Sequence, residues 1–529
     1  MPTLSIDQKT VTVAENATIL EAARESGILI PTLCHWKGCK EATSCLVCLV
    51  KVDGRMLPAC ATKVTEGMQV TSESDEVRNL RRTVLELLLS DHVGDCHAPC
   101  QAGCPVGMDI PAMLRHIQQG NITAAIRIVK QRMALPAILG RVCPRPCEKV
   151  CRRKLRDAPV AVCQLKRYAA ETDLGDKEPY RPEWLSRSGK TVTIIGAGAS
   201  GLSAAYHLTA AGHSVVLYEK EPQAGGRLRQ FSDEQLPGEV LEAEVTHILS
   251  LPMEFHFSEE IPLTAGSFQE LSHRFDAVIL ASGAIPESAA EACGLEIAPN
   301  GFLKVNTGTY ETSLDRIFAI GGLLRADTTV VRSVADGRKV TDVVDLFLRE
   351  QDIRPAEPLW TTRVQKPDAD DIQQLRPDAD ADGPLLEPDA EKGNEYSQSE
   401  AVEQAARCLQ CDCHAREKCR LLRYAREYGV VSTRYQEPVK RHIRIQRHGK
   451  IVVEPEKCIK CGLCVTIACE NTAEFGLTFA GRGYGVHVIP PFEVDWETAM
   501  DSTSEKCVEA CPTAALHFAK DSYNGRHKI

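Results

Sequence analysis

Short apolar runs alternate with helix-forming stretches through the middle of the chain, from residue 190 to about residue 347. The region begins with the apolar run Val192–Ile195, and the alternation predicts the strands and helices of an α/β domain. Nearer the N-terminus, the sequence predicts a helix over Ile19–Ser26 that ends at Gly27. A different pattern covers Pro355–Ser399, which is acidic, rich in Pro and Gly and poor in large apolar residues. We expect a solvated connector there.

Cysteine content is the unusual feature of the composition. The 529 residues include 23 cysteines, and Asp+Glu outnumber Lys+Arg by 72 to 62. The N-terminal residues lack the pattern of a signal peptide, and no apolar run reaches the roughly 18 residues that could span a bilayer. We therefore expect a cytoplasmic protein without a membrane span, whose clustered cysteines bind metal because disulfides are rare in that compartment. Net acidity argues against a nucleic-acid partner.

The first cysteine group has the spacing expected of a two-iron cluster. The pattern C-x10-C-x2-C-x11-C joins Cys34, Cys45, Cys48 and Cys60. Its unequal spacers favour [2Fe-2S] over the alternative of a zinc site. Residues 1–75 resemble the [2Fe-2S] domain that begins the large iron-sulfur subunit of respiratory NADH dehydrogenase and of NAD-linked iron hydrogenases. The segments Ile30–Cys34 and Pro58–Thr62 carry this resemblance.

The next segment begins like that family and then changes. A His-x3-Cys motif opens the next cluster of those subunits, and His92 and Cys96 have this spacing after a predicted helix, Val84–Leu89. The following motifs resemble the helical cluster domain of the glutamate synthase small subunit and of dihydropyrimidine dehydrogenase, which holds two [4Fe-4S] clusters. They are Cys100–Pro111, Gly140–Cys151 and Pro159–Tyr168.

The resemblance assigns three cysteines to each of these two clusters. One set is Cys96, Cys100 and Cys151, and the other is Cys104, Cys143 and Cys147. His92 stands where the first set needs its fourth ligand, and imidazole would raise the potential of that cluster. A purely structural histidine is the alternative. In the second set the family has Gln or Glu where this chain has Lys166, whose ammonium cannot ligate, so Cys163 or Gln164 would replace it.

A dinucleotide-binding motif opens the α/β domain. Gly196, Gly198 and Gly201 follow the first strand and open a helix, and Glu219 ends the second strand, Ser214–Glu219. Such glycines let backbone N–H groups approach a pyrophosphate, while the acid accepts hydrogen bonds from ribose hydroxyls. Later segments resemble the FAD domain of the glutamate synthase type. This resemblance implies further cofactor-binding residues: Gly226, Arg227, Gly283 and Gly321.

Two departures from that FAD family change the expectation. Gly322 stands where the family usually has an acid that binds the ribityl chain, so we expect reduced flavin affinity. The second departure is the missing NAD(P)H-binding insert, since only the 37 residues Ala284–Ile320 occupy its place. They are too few for another βαβ unit with its sheet. We expect FAD here; NAD in the same site and an empty scaffold are the alternatives.

Two more cysteine groups lie toward the C-terminus. Four cysteines within twelve residues could bind one [4Fe-4S] cluster, with zinc as the alternative, and these are Cys408, Cys411, Cys413 and Cys419. The last group is a split ferredoxin motif, formed by Cys458, Cys461, Cys464 and Cys511. Pro490–Phe492 resembles the NADH dehydrogenase and iron-hydrogenase subunits again.

These patterns predict a multidomain protein of the α+β and α/β classes. It would combine an N-terminal β-grasp [2Fe-2S] ferredoxin, a helical [4Fe-4S] domain, a Rossmann-like FAD domain and a C-terminal [4Fe-4S] ferredoxin-like domain. Those four domains are predicted at residues 1–78, 79–175, 176–350 and 436–529. An acidic linker at 351–400 and a four-cysteine segment at 401–435 would lie between the last two.

The resemblance implies an electron-transfer subunit of a multi-subunit NAD-linked oxidoreductase of the hydrogenase, formate dehydrogenase or transhydrogenase type, and it allows for electron bifurcation. The implied cofactors are one [2Fe-2S] cluster, three or four [4Fe-4S] clusters and FAD. Expected partners are an FMN flavoprotein that handles NADH, a small [2Fe-2S] subunit, and hydrogenase, formate dehydrogenase or ferredoxin as donor or acceptor. We do not expect this chain to carry the hydrogen-activating domain that follows the C-terminal ferredoxin in iron hydrogenases. The rival functions are a self-contained NADPH-dependent oxidoreductase of the glutamate synthase small-subunit class and a zinc-knotted assembly scaffold.

Overall fold

The computed structural model describes residues 1–262, 264–326, 328–355, 359–364, 367–375, 383–388, 395–435, 442–471, 476–492 and 494–519. The chain divides into two compact units, each built from segments that are distant in sequence. The first comprises Met1–His97, Trp360–Pro377 and Cys411–Ile529, and the second comprises Ala98–Leu359 and Asp378–Gln410. The domain boundaries given above remain predictions, and the proposed linker at 351–400 lies partly outside the described residues.

The first unit begins with a five-stranded sheet. Its strands, in spatial order, are Lys9–Thr12, Thr3–Ile6, Gln69–Thr71, Leu49–Val52 and Arg55–Pro58. The second and third of these pair in parallel and the others antiparallel. Helix Ile19–Glu25 buries its apolar side, is started by a capping box between Thr18 and Glu21, and ends before Gly27, whose φ is +77°. This mixed sheet with one helix confirms the predicted β-grasp fold.

The C-terminal part of the same unit contains a small antiparallel sheet, in the order Gln446–His448, Ile451–Val453 and Leu516–Phe518. A second pair of strands is Thr478–Ala480 and His487–Ile489. The helices of the unit after Ile19–Glu25 are Asp75–Ser90, Ala369–Leu375, Arg420–Glu427, Leu463–Asn471, Trp496–Met500 and Ser504–Ala510. The predicted helix Val84–Leu89 is the second half of Asp75–Ser90, which starts earlier because Ser74 caps it.

The second unit begins with short helices that share one apolar core. They are Pro99–Gly103, Ile110–Gln118, Ile122–Lys130, Pro136–Val142, Pro146–Lys149 and Val162–Leu174. An all-parallel sheet follows, in the order Ile317–Ala319, Ala277–Leu280, Thr191–Ile195, Ser214–Glu219 and Glu254–Phe257. The other helices of the unit are Ala199–Ala210, Gly238–Leu249, Ala265–Arg274, Glu287–Ala292, Val330–Leu348 and Gln398–Ala406.

The segment 284–320 is described throughout and carries no second sheet. It contains the helix Glu287–Ala292, an isolated bridge between Ile297 and Leu303, and the strand Ile317–Ala319 of the sheet already described. This agrees with the prediction that the NAD(P)H-binding insert is missing. In the described ranges, no helix combines the length and the apolar character needed to cross a membrane.

Candidate iron–sulfur and dinucleotide sites

The N-terminal sheet brings four predicted ligands together. The hairpin of Leu49–Val52 and Arg55–Pro58 sets Cys48 beside the segment that carries Cys60, and the amide of Ala59 donates to the Cys48 carbonyl at 3.1 Å. All four thiols of this group are buried and hydrogen-bond to one another. Hydrogen bonds from Cys45 and Cys60 lower the pKa of Cys34, and one from Cys60 lowers the pKa of Cys48. The sulfur donors therefore converge as a two-iron cluster requires.

A second thiol group lies in the helical part of the second unit. Cys143 follows the helix Pro136–Val142, Cys147 lies on the next helix, and Cys163 lies in the first turn of Val162–Leu174. Hydrogen bonds from Cys143 and Cys147 lower the pKa of Cys163 well below its usual value. The hydrogen bond with Cys163 and burial raise the pKa of Cys147, and the nearby Cys104 thiol adds a smaller electrostatic contribution in the same direction. Cys163, one of the two candidates for the fourth ligand, therefore lies with the predicted set of three.

Lys166 is buried beside this thiol group. Its Nζ donates to the carbonyl of Leu139 at 2.9 Å and lies 3.9 Å from Cys163 Sγ. Burial by itself lowers the pKa of the ammonium, but neighbouring thiols outweigh that effect and raise it. Those thiols, in decreasing order of effect, are Cys163, Cys143, Cys147 and Cys104. The four sulfurs thus lie near a positive charge that cannot itself ligate iron.

A third group differs from the predicted assignment. One cavity of the first unit is lined by four potential ligands: His92, Cys96, Cys413 and Cys419. The amide of Cys413 donates to the Cys96 carbonyl at 3.4 Å, and Cys419 Sγ accepts from the amide of Leu422 at the start of helix Arg420–Glu427. The sequence had assigned Cys96 to a cluster with Cys100 and Cys151, and Cys413 and Cys419 to a cluster with Cys408 and Cys411. The observed grouping differs from that division.

His92 is oriented as a metal ligand usually is. Its Nδ1 hydrogen-bonds to the carbonyl of Lys457 at 3.1 Å, which leaves Nε2 with the free electron pair. Burial lowers the pKa of His92 to about 4, so the imidazole is neutral. Thr362 lies on the other side, 3.3 Å from Cys96 Sγ through its hydroxyl. A neutral imidazole and three thiols are a donor set that fits a [4Fe-4S] cluster.

The sequence contains the signal for this group, but it is interrupted. If residues 98–410 are passed over, His92, Cys96, Cys413 and Cys419 form one compact motif, H-x3-C-x3-C-x5-C. Counting spacers along the contiguous chain hides it, because the second unit is inserted after His97. Of the cysteines released by the new grouping, Cys100, Cys151 and Cys408 contribute to the helical core of the second unit.

The fourth group is the C-terminal ferredoxin motif. Cys458, Cys461, Cys464 and Cys511 line one cavity. Burial raises the pKa of Cys458 to about 12 and also raises the pKa of Cys461 and Cys464. Such thiols are costly to ionise when alone, and a bound metal ion would favour the thiolate. By contrast, Cys469 is exposed, and its thiol donates to the carbonyl of Leu477.

The dinucleotide motif lies at the carboxyl edge of the parallel sheet. Gly196, Gly283 and Gly321 each follow a strand and have positive φ, and Glu219 ends another. Glu219 accepts a hydrogen bond from the amide of Ala197 at 2.7 Å, which fixes the carboxylate beside the glycine turn. The carboxyl edge of a parallel sheet is where doubly wound folds bind their ligands.

Two glycines have different roles at this turn: one allows close packing, and the other leaves space for a ligand. A Cβ on Gly201 would lie 1.9 Å from the Gly196 carbonyl oxygen, so that position is needed for the strand and helix to meet. A Cβ on Gly198 would meet no atom within 4 Å, although Gly226 approaches its backbone. Open space beside Gly198, at the start of a 12-residue helix, fits a pyrophosphate. Arg227, next to Gly226, is exposed. Gly322 lies beside Gly283 and, as a glycine, has no carboxylate at the position where the FAD family usually has an acid.

Three family models match separate parts of the chain. Residues 1–75 match a 2Fe-2S iron-sulfur cluster binding domain, and residues 90–177 match dihydropyrimidine dehydrogenase domain II, 4Fe-4S cluster. Residues 194–257 match an NAD(P)-binding Rossmann-like domain. The matches confirm the predicted order of a [2Fe-2S] domain, a [4Fe-4S] domain and a Rossmann-like domain.

Similar curated proteins are subunits of oxidoreductases. NADP(+)-dependent formate dehydrogenase subunit beta of Moorella thermoacetica is 32% identical over 48% of this chain and 38% of that protein. NADPH-Fe(3+) oxidoreductase subunit beta of Geobacter sulfurreducens is 34% identical over 39% of this chain and 31% of that protein. NAD-dependent dihydropyrimidine dehydrogenase subunit PreT of Escherichia coli O157:H7 is 32% identical over 47% and 62%. The chain therefore spans less than two thirds of each relative.

Proposed function

We propose that this chain is an electron-transfer subunit of a multi-subunit oxidoreductase. The observation that carries the proposal is a series of three predicted cluster sites within the first unit. The hydroxyl of Ser44, next to Cys45, donates to the carbonyl of Cys461 at 3.0 Å. The carbonyl of Lys457, next to Cys458, hydrogen-bonds to His92 at 3.1 Å. Hydrogen bonds between residues at or beside their ligands thus join each neighbouring pair of sites, and the amide of Arg420, next to Cys419, also donates to the carbonyl of Pro512, next to Cys511, at 3.0 Å.

Iron–sulfur clusters in these sites would supply one-electron transfer. The chain's own residues hold the ligands in place and exclude water, since Cys34, Cys45 and Cys461 contribute to one apolar core. The ion pair of Lys457 with Glu454, at 2.6 Å, puts a buried ammonium beside the His92 group. We propose four [4Fe-4S] clusters besides the [2Fe-2S] cluster, the fourth using Cys100, Cys151 and Cys408. In support, Arg153 donates to the carbonyl of Arg407, next to Cys408.

The proposal includes FAD at the glycine turn. The glycines that follow three strands, the open space at Gly198 and the acid Glu219 at the end of a fourth strand support a dinucleotide there. Bound FAD would couple two-electron to one-electron transfer. Because the matched domain is described as NAD(P)-binding, direct binding of a nicotinamide nucleotide is the second candidate. Acid release and chromatography of the cofactor distinguish the two.

The partners proposed are an FMN flavoprotein that oxidises or reduces NAD(H), a small [2Fe-2S] subunit, and a hydrogenase, formate dehydrogenase or ferredoxin. Segment 284–320 offers no second nucleotide-binding sheet, which favours a separate subunit for NAD(H). Affinity isolation of the tagged chain from the cytoplasm of its native cells should recover such subunits. Rapid reduction of the isolated chain by NADPH would instead support the self-contained oxidoreductase.

Iron analysis of the anaerobically purified chain tests the central proposal. One [2Fe-2S] and four [4Fe-4S] clusters require about 18 irons per chain. In Cys413→Ala, we expect the loss of about four irons and of one electron paramagnetic resonance signal after reduction. The matched control is Cys469→Ala, since that cysteine is exposed and lies outside the cluster sites. Zinc in place of iron, or full iron content in Cys413→Ala, would contradict the proposal.

A further inference from the structure

Three lysines of the described residues are buried, and they differ in how their charge is compensated. Lys130 pairs with Asp173 at 2.6 Å, and Lys457 pairs with Glu454 at 2.6 Å. Lys166 is 2% exposed, and no carboxylate among the described residues lies within ion-pair distance of it. Its contacts are the carbonyl of Leu139 at 2.9 Å and the sulfur of Cys163 at 3.9 Å. A buried ammonium without a counter-charge is strongly disfavoured.

The charges near Lys166 point to the missing counter-charge. Glu148 accepts from the amide of Cys163 at 2.8 Å, and Glu244 accepts from the amides of Ala137 and Ile138 at 2.8 Å each. Both carboxyl groups are therefore held by backbone donors rather than by the ammonium. The groups that remain are the thiols of the Cys163 set. Four thiolates on a [4Fe-4S] core carry net negative charge, which reduction by one electron increases.

We propose that the Lys166 ammonium is the counter-charge of the cluster held by Cys104, Cys143, Cys147 and Cys163, and that it raises the reduction potential of this cluster. The inference rests on the proposed function, because it needs a cluster at these cysteines. The physical reason is that one added electron interacts favourably with a fixed cation that burial shields from water. No bond or proton changes in this step; a single electron enters the cluster. The Lys166 ammonium thus acts on the cluster through its charge. It makes reduction of this cluster more favourable than it would be without the ammonium.

A redox titration followed by electron paramagnetic resonance tests the inference on the full chain. Cys163→Ser first identifies the signal of this cluster, because replacing a sulfur ligand changes that signal alone. In Lys166→Met, which keeps the length and removes the charge, the midpoint potential of the same signal should fall. We expect at least a tenfold change in the ratio of reduced to oxidised cluster at a fixed potential, or about 59 mV for one electron. Lys166→Arg is the matched control and should retain the wild-type potential within that range.

The outcomes separate this inference from the proposed function. If the wild-type chain lacks the signal that Cys163→Ser alters, the cluster assignment fails. If the signal is present and Lys166→Met leaves its potential unchanged, only the role of Lys166 is wrong. Loss of about four irons in Lys166→Met but not in Lys166→Arg supports the role of Lys166 as a counter-charge, because assembly of the cluster then depends on the positive charge. Equal loss of iron in Lys166→Met and Lys166→Arg overturns the inference, because cluster assembly then requires the shape of the lysine side chain rather than its charge.

Discussion

Substitution of the two glycines at the dinucleotide turn should separate folding from binding. In Gly201→Ala, the new Cβ would lie 1.9 Å from the Gly196 carbonyl oxygen, well inside the closest contact that side chains make. Gly196 has little room to move away, because the backbone of Ala281 is so close that a Cβ on Gly196 would lie 2.6 Å from the Ala281 carbonyl oxygen. We expect Gly201→Ala to lower the free energy of unfolding by about 3 kcal/mol.

Gly198→Ala should behave in the opposite way. Gly198 has φ of −76°, which alanine adopts readily, and an added Cβ meets nothing within 4 Å. We therefore expect stability within about 0.5 kcal/mol of the wild type. The methyl group would occupy the space next to the backbone that we assign to the pyrophosphate. Affinity for the dinucleotide should fall at least tenfold, or about 1.4 kcal/mol.

Urea unfolding followed by circular dichroism measures the first effect, and the cofactor content of the purified variants measures the second. The wild type and Gly198→Ala should unfold at similar urea concentrations, whereas Gly201→Ala should unfold earlier. A Gly198→Ala protein with the wild-type cofactor content would refute the assigned position of the pyrophosphate. A Gly201→Ala protein with unchanged stability would refute the steric argument.

Three further predictions concern single buried groups. Burial raises the pKa of Glu244 to about 7, so the stability contributed by its protonated form is present below pH 4.5 and lost as pH rises through 7. Between those limits the free energy of unfolding should fall by about 3 kcal/mol. Unfolding measured at pH 5 and at pH 8 should show that the stability of Glu244→Gln depends less on pH than that of the wild type. Lys130→Met leaves Asp173 buried without its partner and should cost about 3–5 kcal/mol of unfolding free energy, part of which the added substitution Asp173→Leu should restore. His92→Ala should lose about four irons whereas His92→Cys should keep them, and equal iron in both variants would exclude His92 as a ligand.

Elements with local signals could be predicted from the sequence. The strand Ser214–Glu219 has the predicted bounds, and the helix before Gly27 ends one residue earlier than predicted. Both are set by neighbouring residues: an apolar run that ends at an acid, and a glycine that takes up positive φ. The start of Asp75–Ser90 was missed because its first half is marked by the cap Ser74 and by acids rather than by apolar residues.

The ligand groups were harder to predict, because cysteines of one site need not be neighbours in sequence. The N-terminal group lies on one hairpin and its flanking loop, so spacing alone predicts a set of four cysteines whose thiols lie together in the structure. Cys96 and Cys413 could not be paired in this way, since a complete folded unit separates them. The sequence alone left Cys163 and Gln164 as equal candidates for the fourth ligand of the second set. The structure favours Cys163, because its thiol hydrogen-bonds with Cys143 and Cys147.

The hydrogen bond between Cys413 and Cys96 also has a consequence for biosynthesis. During translation, His92 and Cys96 leave the ribosome more than three hundred residues before Cys413 and Cys419. The proposed metal centre has all its donors only after the intervening chain has returned to its starting point. Maturation of the proposed centre would then depend on folding of the inserted unit, and a variant that delays this folding should accumulate chains that lack iron at this centre as well as in the inserted unit itself.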